Sequence, residues 1–304
     1  MSVNERFKDY DKSHCWQYEM RVRNLSEDMT IAGLSSDRVE ALRISDFIFE
    51  YVDKTEKEKC EEVKQFIVRH EWLGKLPNRP THRFTARLKE SGTLAGVVVM
   101  ATPNAFSHLV GKENRDKEKL VARGASISWA PKNLGSWLVS SSVRWMVTNT
   151  DFRVFTAYSD PEAKELGTIY QAMNWIYLGQ TSGTNKQYFD PNKPSAGWFS
   201  DRDFRKKSKY KMYAKNIGIG ESEWKSMMKK YSPNWSIIPE EIKSKIKSEE
   251  KKYRDSCLSR IVPPKHKYCY ILGRSKSETK RLKKVFIDNN PDKINLPYPK
   301  NRGE

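Results

Sequence analysis

The chain lacks any apolar run near the ~20 residues that a membrane span requires, which excludes a spanning helix. It is poor in cysteine: Cys15, Cys60, Cys257 and Cys269 stand far apart, with no C-x-x-C pair. That spacing argues against a zinc ribbon or a disulfide scaffold, so reduced structural thiols are expected. No G-x-x-x-x-G-K-[ST] loop and no Ser-His-Asp hydrolase elbow occurs, which argues against ATP-dependent ligation and serine hydrolysis. Internal repeats and low-complexity tracts are absent. The opening MSVNERFKDYDKSH has no apolar signal region, so a cytoplasmic location and no membrane partner are expected.

Acidic residues are also in deficit. The 304 residues hold 56 Lys+Arg against 38 Asp+Glu, a net charge of +18. The imbalance is local: residues 201–304 carry 28 Lys+Arg and 13 Asp+Glu, and everything before them is close to neutral. Such a concentration of cations attracts a polyanion through counterion release. Double-stranded DNA is the expected partner. The length allows one large domain with an appendage.

Hydrophobic periodicity then gives elements. HCWQYEMRVRNLS is expected to contribute a strand, and LSSDRVEALRI a short helix capped by Ser35, Ser36 or Asp37. ISDFIFEYVD alternates as a strand, and Asp53 and Thr55 are expected to open the helix KTEKEKCEEVKQFIVRHEWLG. THRFTARL, KESGT and LAGVVVMATP read as a hairpin whose second strand is covered on both sides. LVARGASISWA is a strand. In the following helix Leu134, Trp137, Leu138, Ser141 and Trp145 form one stripe, which ordinarily means core. RVFTAY is a strand and SDP a turn. Leu166, Ile169, Tyr170 and Met173 share a face of the helix KELGTIYQAMN, and WIYLGQT is a further strand. TSGTNKQYFDPNKPSAGWFSDRD reads as loop, followed by helical pieces, the strand PPKHKYCYILG and an extended LPYPKNRGE. This order predicts an α/β fold.

The stretch LGTIYQAMNWIYLGQ resembles the GNAT acyltransferase fold, with Asn174-Trp175 where that fold has Gly-Phe. FIVRHEWLG, LAGVVVMATP, VARGASISWAPKNLGS and above all YSDPEAKELGTIYQAMNW are similar to the phage Mom family of DNA adenine modification proteins. KHKYCYIL and LPYPK fit as well. The resemblance covers residues 60–182 and, more loosely, the tail. It implies a GNAT-like mixed central sheet flanked by helices, with a basic C-terminal extension. The implied divisions are 1–43 as an N-terminal extension, 44–182 as the catalytic core and 183–304 as a basic DNA-binding region.

The implied function is transfer of a carbamoylmethyl, acyl-type group to the exocyclic amine of adenine in phage DNA, as protection from restriction in the host cytoplasm. Two alternatives are acylation of an aminated pyrimidine in hypermodified phage DNA, and a non-catalytic DNA-binding protein on a GNAT scaffold. By the resemblance His70, Asp160 and Tyr170 are catalytic, and the same three could hold an iron ion. It places the donor against Arg123, Asn133, Gly135 and Ser136. The donor would be acyl-coenzyme A or another small acyl- or glycyl-type molecule. PKNLGS lacks the glycines of the usual coenzyme A turn, although a helix N-terminus there could still receive an anion.

Each residue also has an ordinary structural reading. His70 ends an amphipathic helix and could pack there, while its near-neutral pKa suits proton transfer. Tyr170 could be core, Asp160 a cap and Arg123 a surface ion pair. His82 and Arg83 are weaker candidates on a neighbouring strand. For DNA, Arg205, Lys206, Lys207, Lys209 and Lys211 with Tyr210 and Tyr213 form the expected phosphate-contact patch. Trp72, Trp198 or Phe199 could stack on a flipped base. The oligomeric state, monomer or dimer, is open.

Overall fold

A computed structural model describes residues 15–103, 105–182, 185–230 and 232–300. The sequence expectations for residues 1–14, for 183–184 and for 301–304 lie outside them. The chain begins α1 (Trp16–Ala32), α2 (Ser36–Ala41), β1 (Phe47–Val52), α3 (Lys57–His70), β2 (Pro80–Leu88), β3 (Leu94–Ala101) and β4 (Glu118–Ser126). It continues α4 (Leu134–Asn149), β5 (Val154–Ser159), α5 (Thr168–Ala172), β6 (Ile176–Gln180), β7 (Asn185–Phe189) and β8 (Phe199–Ser200). The last elements are α6 (Lys207–Asn216), α7 (Glu221–Ser226), α8 (Glu240–Asp255), β9 (Leu258–Val262), β10 (His266–Ile271) and α9 (Lys276–Asn289).

These elements form two compact units, one comprising the chain up to Thr181 with Lys265 onward, the other Ser182–Pro264. In the first, seven strands are ordered β1-β2-β3-β4-β5-β10-β6. Neighbours are antiparallel except β4 and β5, which are parallel because α4 crosses between them. This is the expected α/β architecture, a mixed central sheet flanked by helices. β3 is buried along its whole length, as its unbroken apolar run requires.

Helices cover both faces. The Glu50 carboxylate meets Lys59 of α3 at 2.5 Å, while the next residue, Tyr51, stacks on Trp145 of α4 with ring centroids 4.1 Å apart. Successive side chains of a strand point to opposite faces, so α3 and α4 lie on opposite sides of the sheet. The α4 stripe is core, as its spacing suggests: Leu134 and Leu138 are buried, with Trp137 and Trp145 packed against them.

Several expectations fail for local reasons. The proposed strand HCWQYEMRVRNLS is the helix α1. Its Tyr18, Val22, Leu25 and Met29 fall at helical spacing and all pack on the core. α3 is not opened by Asp53 or Thr55: its cap is Glu56, and Asp53 instead binds the Thr55 amide and hydroxyl. The helix drawn over 164–174 shrinks to α5, because Lys164 and Gly167 have left-handed backbones at φ 52° and 70°. The stretch 181–203, expected as loop, contains β7 and β8.

The basic region 183–304 is not one unit. Residues 182–264 build the three-stranded sheet β8-β7-β9 and a core of Tyr210, Tyr213, Trp224, Ile238 and Ile246. Residues from 265 onward return to the first unit, where β10 inserts between β5 and β6. Residues 16–43 are likewise no separate extension, because α1 and α2 contribute Leu25 and Val39 to the main core.

Candidate active site

β4 and β5 pair only over Glu118–Val121 and Val154–Ala157. Beyond that, β4 continues to Ser126 against β3, while β5 continues to Ser159 against β10. The two strands therefore part at their carboxyl ends, where open α/β sheets receive ligands. Their pairing ends at Val121 and Ala157, so no ladder between them continues past those residues.

On the β4 side lies the expected donor turn. Asn133 has a left-handed backbone at φ 70° and caps α4 without a side-chain bond. A Cβ at Gly135 would lie 3.1 Å from Ile169 Cδ1 and 3.4 Å from Ser126 Oγ, so glycine permits the close approach of α4, α5 and the end of β4. Ser136 donates its hydroxyl to the Asn133 carbonyl at 3.0 Å. Arg123 donates to the Lys75 carbonyl at 2.9 Å and lies 3.7 Å from the Glu71 carboxylate.

On the β5 side is a group of carboxylates with one lysine. Asp160 is 6% exposed; it accepts the Glu162 amide at 3.1 Å and the Lys265 ammonium at 2.5 Å. It therefore serves as the cap its sequence suggests and also holds an ion pair. Burial pushes the Glu165 carboxyl up to about 7; the Asp160 amide hydrogen bond opposes this, and the charges of Glu71 and Asp160 add to it. Burial likewise raises the Glu71 carboxyl against the pull of Arg123. Like charges gathered where water is scarce resist ionisation, which makes one carboxyl a proton acceptor near neutrality.

Tyr170 stands beside them. Its ring packs on Trp175 at 4.9 Å and on Tyr268 at 5.4 Å between centroids. Burial raises its phenol well above the ordinary value, and the charge of Glu165 raises it further, so it is protonated at neutral pH. The adjoining wall is tightly fixed. Gln171 Nε2 donates to the Leu166 carbonyl at 2.9 Å and to the Tyr268 hydroxyl at 3.2 Å, and the Tyr268 hydroxyl also donates to Leu166.

His70 is elsewhere. It is 2% exposed, its ring lies 4.4 Å from that of Phe66, and its Nδ1 sits 3.9 Å from Asp28 with no hydrogen bond. Asp28 itself binds Arg69 at 2.7 Å and accepts the Ser128 hydroxyl at 2.6 Å. Burial lowers His70 to about 4, so its imidazole is neutral. Its chain neighbour Glu71, not His70, belongs to the carboxylate group. Iron does not fit the expected triad. Asp160 is committed to Lys265 and the Glu162 amide, Tyr170 retains its proton, and His70 pairs with neither. Among the described residues no three His, Cys, Asp or Glu side chains gather as metal ligands.

Glu71, Glu165 and Lys265 were missed by sequence reasoning. Glu71 and Glu165 lie inside the quoted stretches FIVRHEWLG and YSDPEAKELG, but nothing in the pattern shows that they are half-buried. Lys265 is separated from Asp160 by the whole second unit, so no local signal links them. His82 and Arg83 sit on β2, with the His82 ring 6.1 Å from those of Tyr51 and Trp145 in the aromatic core.

In the second unit the expected phosphate patch is largely internal or neutralised. Tyr210 and Tyr213 are core, and Lys209 donates to the Tyr253 hydroxyl at 2.5 Å. Arg205 pairs with Asp201, Lys206 with Asp203 and Lys211 with Glu221, while Lys207 is exposed. Phe199 packs on Phe204; Trp198 is 40% exposed beneath the Arg260 guanidinium. Among the described residues no helix is long and apolar enough to cross a membrane, and all four cysteines are free.

The sequence profile of the Mom protein family matches residues 52–300. No curated protein matches the chain. Similar solved structures include the ribosomal-protein-S5-alanine acetyltransferase of Vibrio fischeri, at 13% identity and TM-score 0.28, over 42% of this chain and 60% of that one. An IAA acetyltransferase from Bacillus cereus matches at 11% identity and TM-score 0.36, over 74% of this chain and 99% of that one. A GNAT-family acetyltransferase from Listeria monocytogenes matches at 10% identity and TM-score 0.32, over 45% of this chain and 90% of that one.

Proposed function

The chain belongs to the Mom protein family, and from that premise we propose that it is a transferase that adds a carbamoylmethyl group to the exocyclic amine of adenine in DNA. The modification would protect phage DNA from restriction. The reading is carried by one juxtaposition: a carboxyl held near 7, Glu165, beside a protonated phenol, Tyr170, at the parting of β4 and β5.

An exocyclic amine is a weak nucleophile and must lose a proton as its new N–C bond forms. Glu165 takes that proton, because its carboxylate is available at neutral pH. The bond from the donor carbon to its leaving group breaks in the same step, and the Tyr170 hydroxyl supplies the proton that the leaving group acquires. Lys265 and Arg123 limit the charge of the carboxylate group. The turn Asn133–Ser136 and the N-terminus of α4 face the donor. A duplex adenine would be turned out of the stack to reach this site, and the net charge of +18 favours a polyanionic acceptor.

Mass spectrometry of nucleosides from the DNA of expressing cells tests the reading. The expected result is a carbamoylmethyl mass shift on deoxyadenosine that disappears in Tyr170→Phe. A shift confined to a pyrimidine would replace the acceptor. Unmodified DNA from cells holding folded, DNA-binding protein would leave a non-catalytic binding role.

A further inference from the structure

The first unit carries a second cationic feature, outside the patch expected from the sequence. Residues 265–304 hold 11 Lys+Arg against 4 Asp+Glu. Much of this excess lies on α9, with Lys276, Lys280, Arg281, Lys283 and Lys284 against Glu278 and Asp288. The helix is anchored by Leu282 and Phe286, buried with Ile271, Leu109 and Val110. Glu278 bonds the buried Arg153 at 3.1 Å and the Arg274 amide at 2.6 Å, so it does not neutralise the lysines.

Lys276, Lys280, Lys283 and Lys284 fall within an arc of about 100° and span about 12 Å of helix axis. All four are exposed, and none has an ion-pair partner among the described residues. Beside them runs an open groove of about 1050 Å³, lined among others by Leu272, Gly273, Ile287, Lys276, Lys280 and Lys284. The contrast with three lysines of the second unit is chemical. There Lys206, Lys211 and Lys225 have carboxylate partners that a phosphate would need to displace. On α9 the ammonium groups are free, and their backbone is held rigid by the core.

We infer that the exposed face of α9 is the surface that holds the sugar–phosphate backbone of duplex DNA. This rests on the reading of the protein as one that acts on DNA. At 3.4 Å of helix axis per phosphate on one strand, the lysine row matches roughly three to four phosphates. The lysines meet phosphate, so they hold the duplex without reading its sequence.

Salt-dependent binding of a labelled duplex of mixed sequence, followed by fluorescence anisotropy with the full chain, tests this. The variant is Lys276→Ala/Lys280→Ala/Lys284→Ala, whose side chains are exposed; its melting curve should overlay that of the wild type. The slope of log affinity against log salt should become shallower by about 0.9 for each phosphate no longer neutralised, so by about 2.7. A control that removes the same charge, Lys206→Ala/Lys211→Ala/Lys225→Ala, should change the slope by less than about one. An unchanged slope in the α9 variant, or an equal change in the control, overturns the inference while leaving the DNA reading intact. Absence of salt-dependent binding by the wild type would instead overturn the DNA reading.

Discussion

The Lys265 ammonium lies 2.5 Å from the Asp160 carboxylate, so the first residue of the chain's return to the sheet closes on the end of β5. The same cation lowers the pKa values of Glu165 and Glu71. The insertion of β10 between β5 and β6 is therefore part of the electrostatics of the site.

Lys265→Met should move the acidic limb of the pH–rate profile upward by about one unit, because losing the cation makes Glu165 harder to ionise. The limb starts from about 7 in the parent protein. Glu165→Gln should abolish the limb and lower the rate by about 10²–10⁴-fold. Single-turnover transfer to an oligonucleotide at several pH values checks both. An unmoved limb in Lys265→Met would remove Glu165 as the titrating group.

Tyr170→Phe keeps the ring between Trp175 and Tyr268. Stability should change by less than about 1 kcal/mol, while transfer falls by about 10²–10⁴-fold. Thermal melts beside a nucleoside digest separate the two effects.

His70 has a folded pKa of about 4 against an ordinary 6.5, and burial lowers His82 to about 4 as well. For a histidine depressed in this way the unfolded chain binds the proton first. Both sites are neutral in folded and unfolded chains above pH ~6.5, so they cost nothing there. Stability is lost as pH falls from about 6.5 towards 4, by up to about 3 kcal/mol for His70. Denaturant unfolding across that window should show the decline, and His70→Gln should flatten its share. A decline of equal steepness in His70→Gln would show that His70 does not contribute.

Gly167 has φ 70°, and an added Cβ would lie 2.5 Å from Tyr268 Cε2. Gly167→Ala should cost about 2–5 kcal/mol through backbone strain and overpacking. Calorimetry of the variant checks this. Activity should fall with it, since Tyr268 helps wall Tyr170.

Much of the fold was legible because periodicity reports burial. β1 to β6, α3 and α4 follow from alternation or helical spacing, and the unbroken run of β3 announces a central strand. α1 was misread because a short mixed stretch carries both periods, and only packing on the core selects one. Tyr210 and Tyr213 were misread for a related reason. Tyrosines among lysines have the pattern of an exposed basic patch, yet packing with Trp224 and Ile246 makes them core.

The sequence by itself determined the family, the α/β class, the cationic excess and the positions of Asp160 and Tyr170. Each depends on residue type and on spacing along a few turns of chain. Tertiary structure alone decided that His70 faces Asp28, that Glu165 gathers with Glu71, Asp160 and Lys265, and which lysines lack a carboxylate. Those outcomes depend on burial and on Coulomb forces over a few ångströms between residues far apart in the chain, and such forces leave no periodic trace in the sequence.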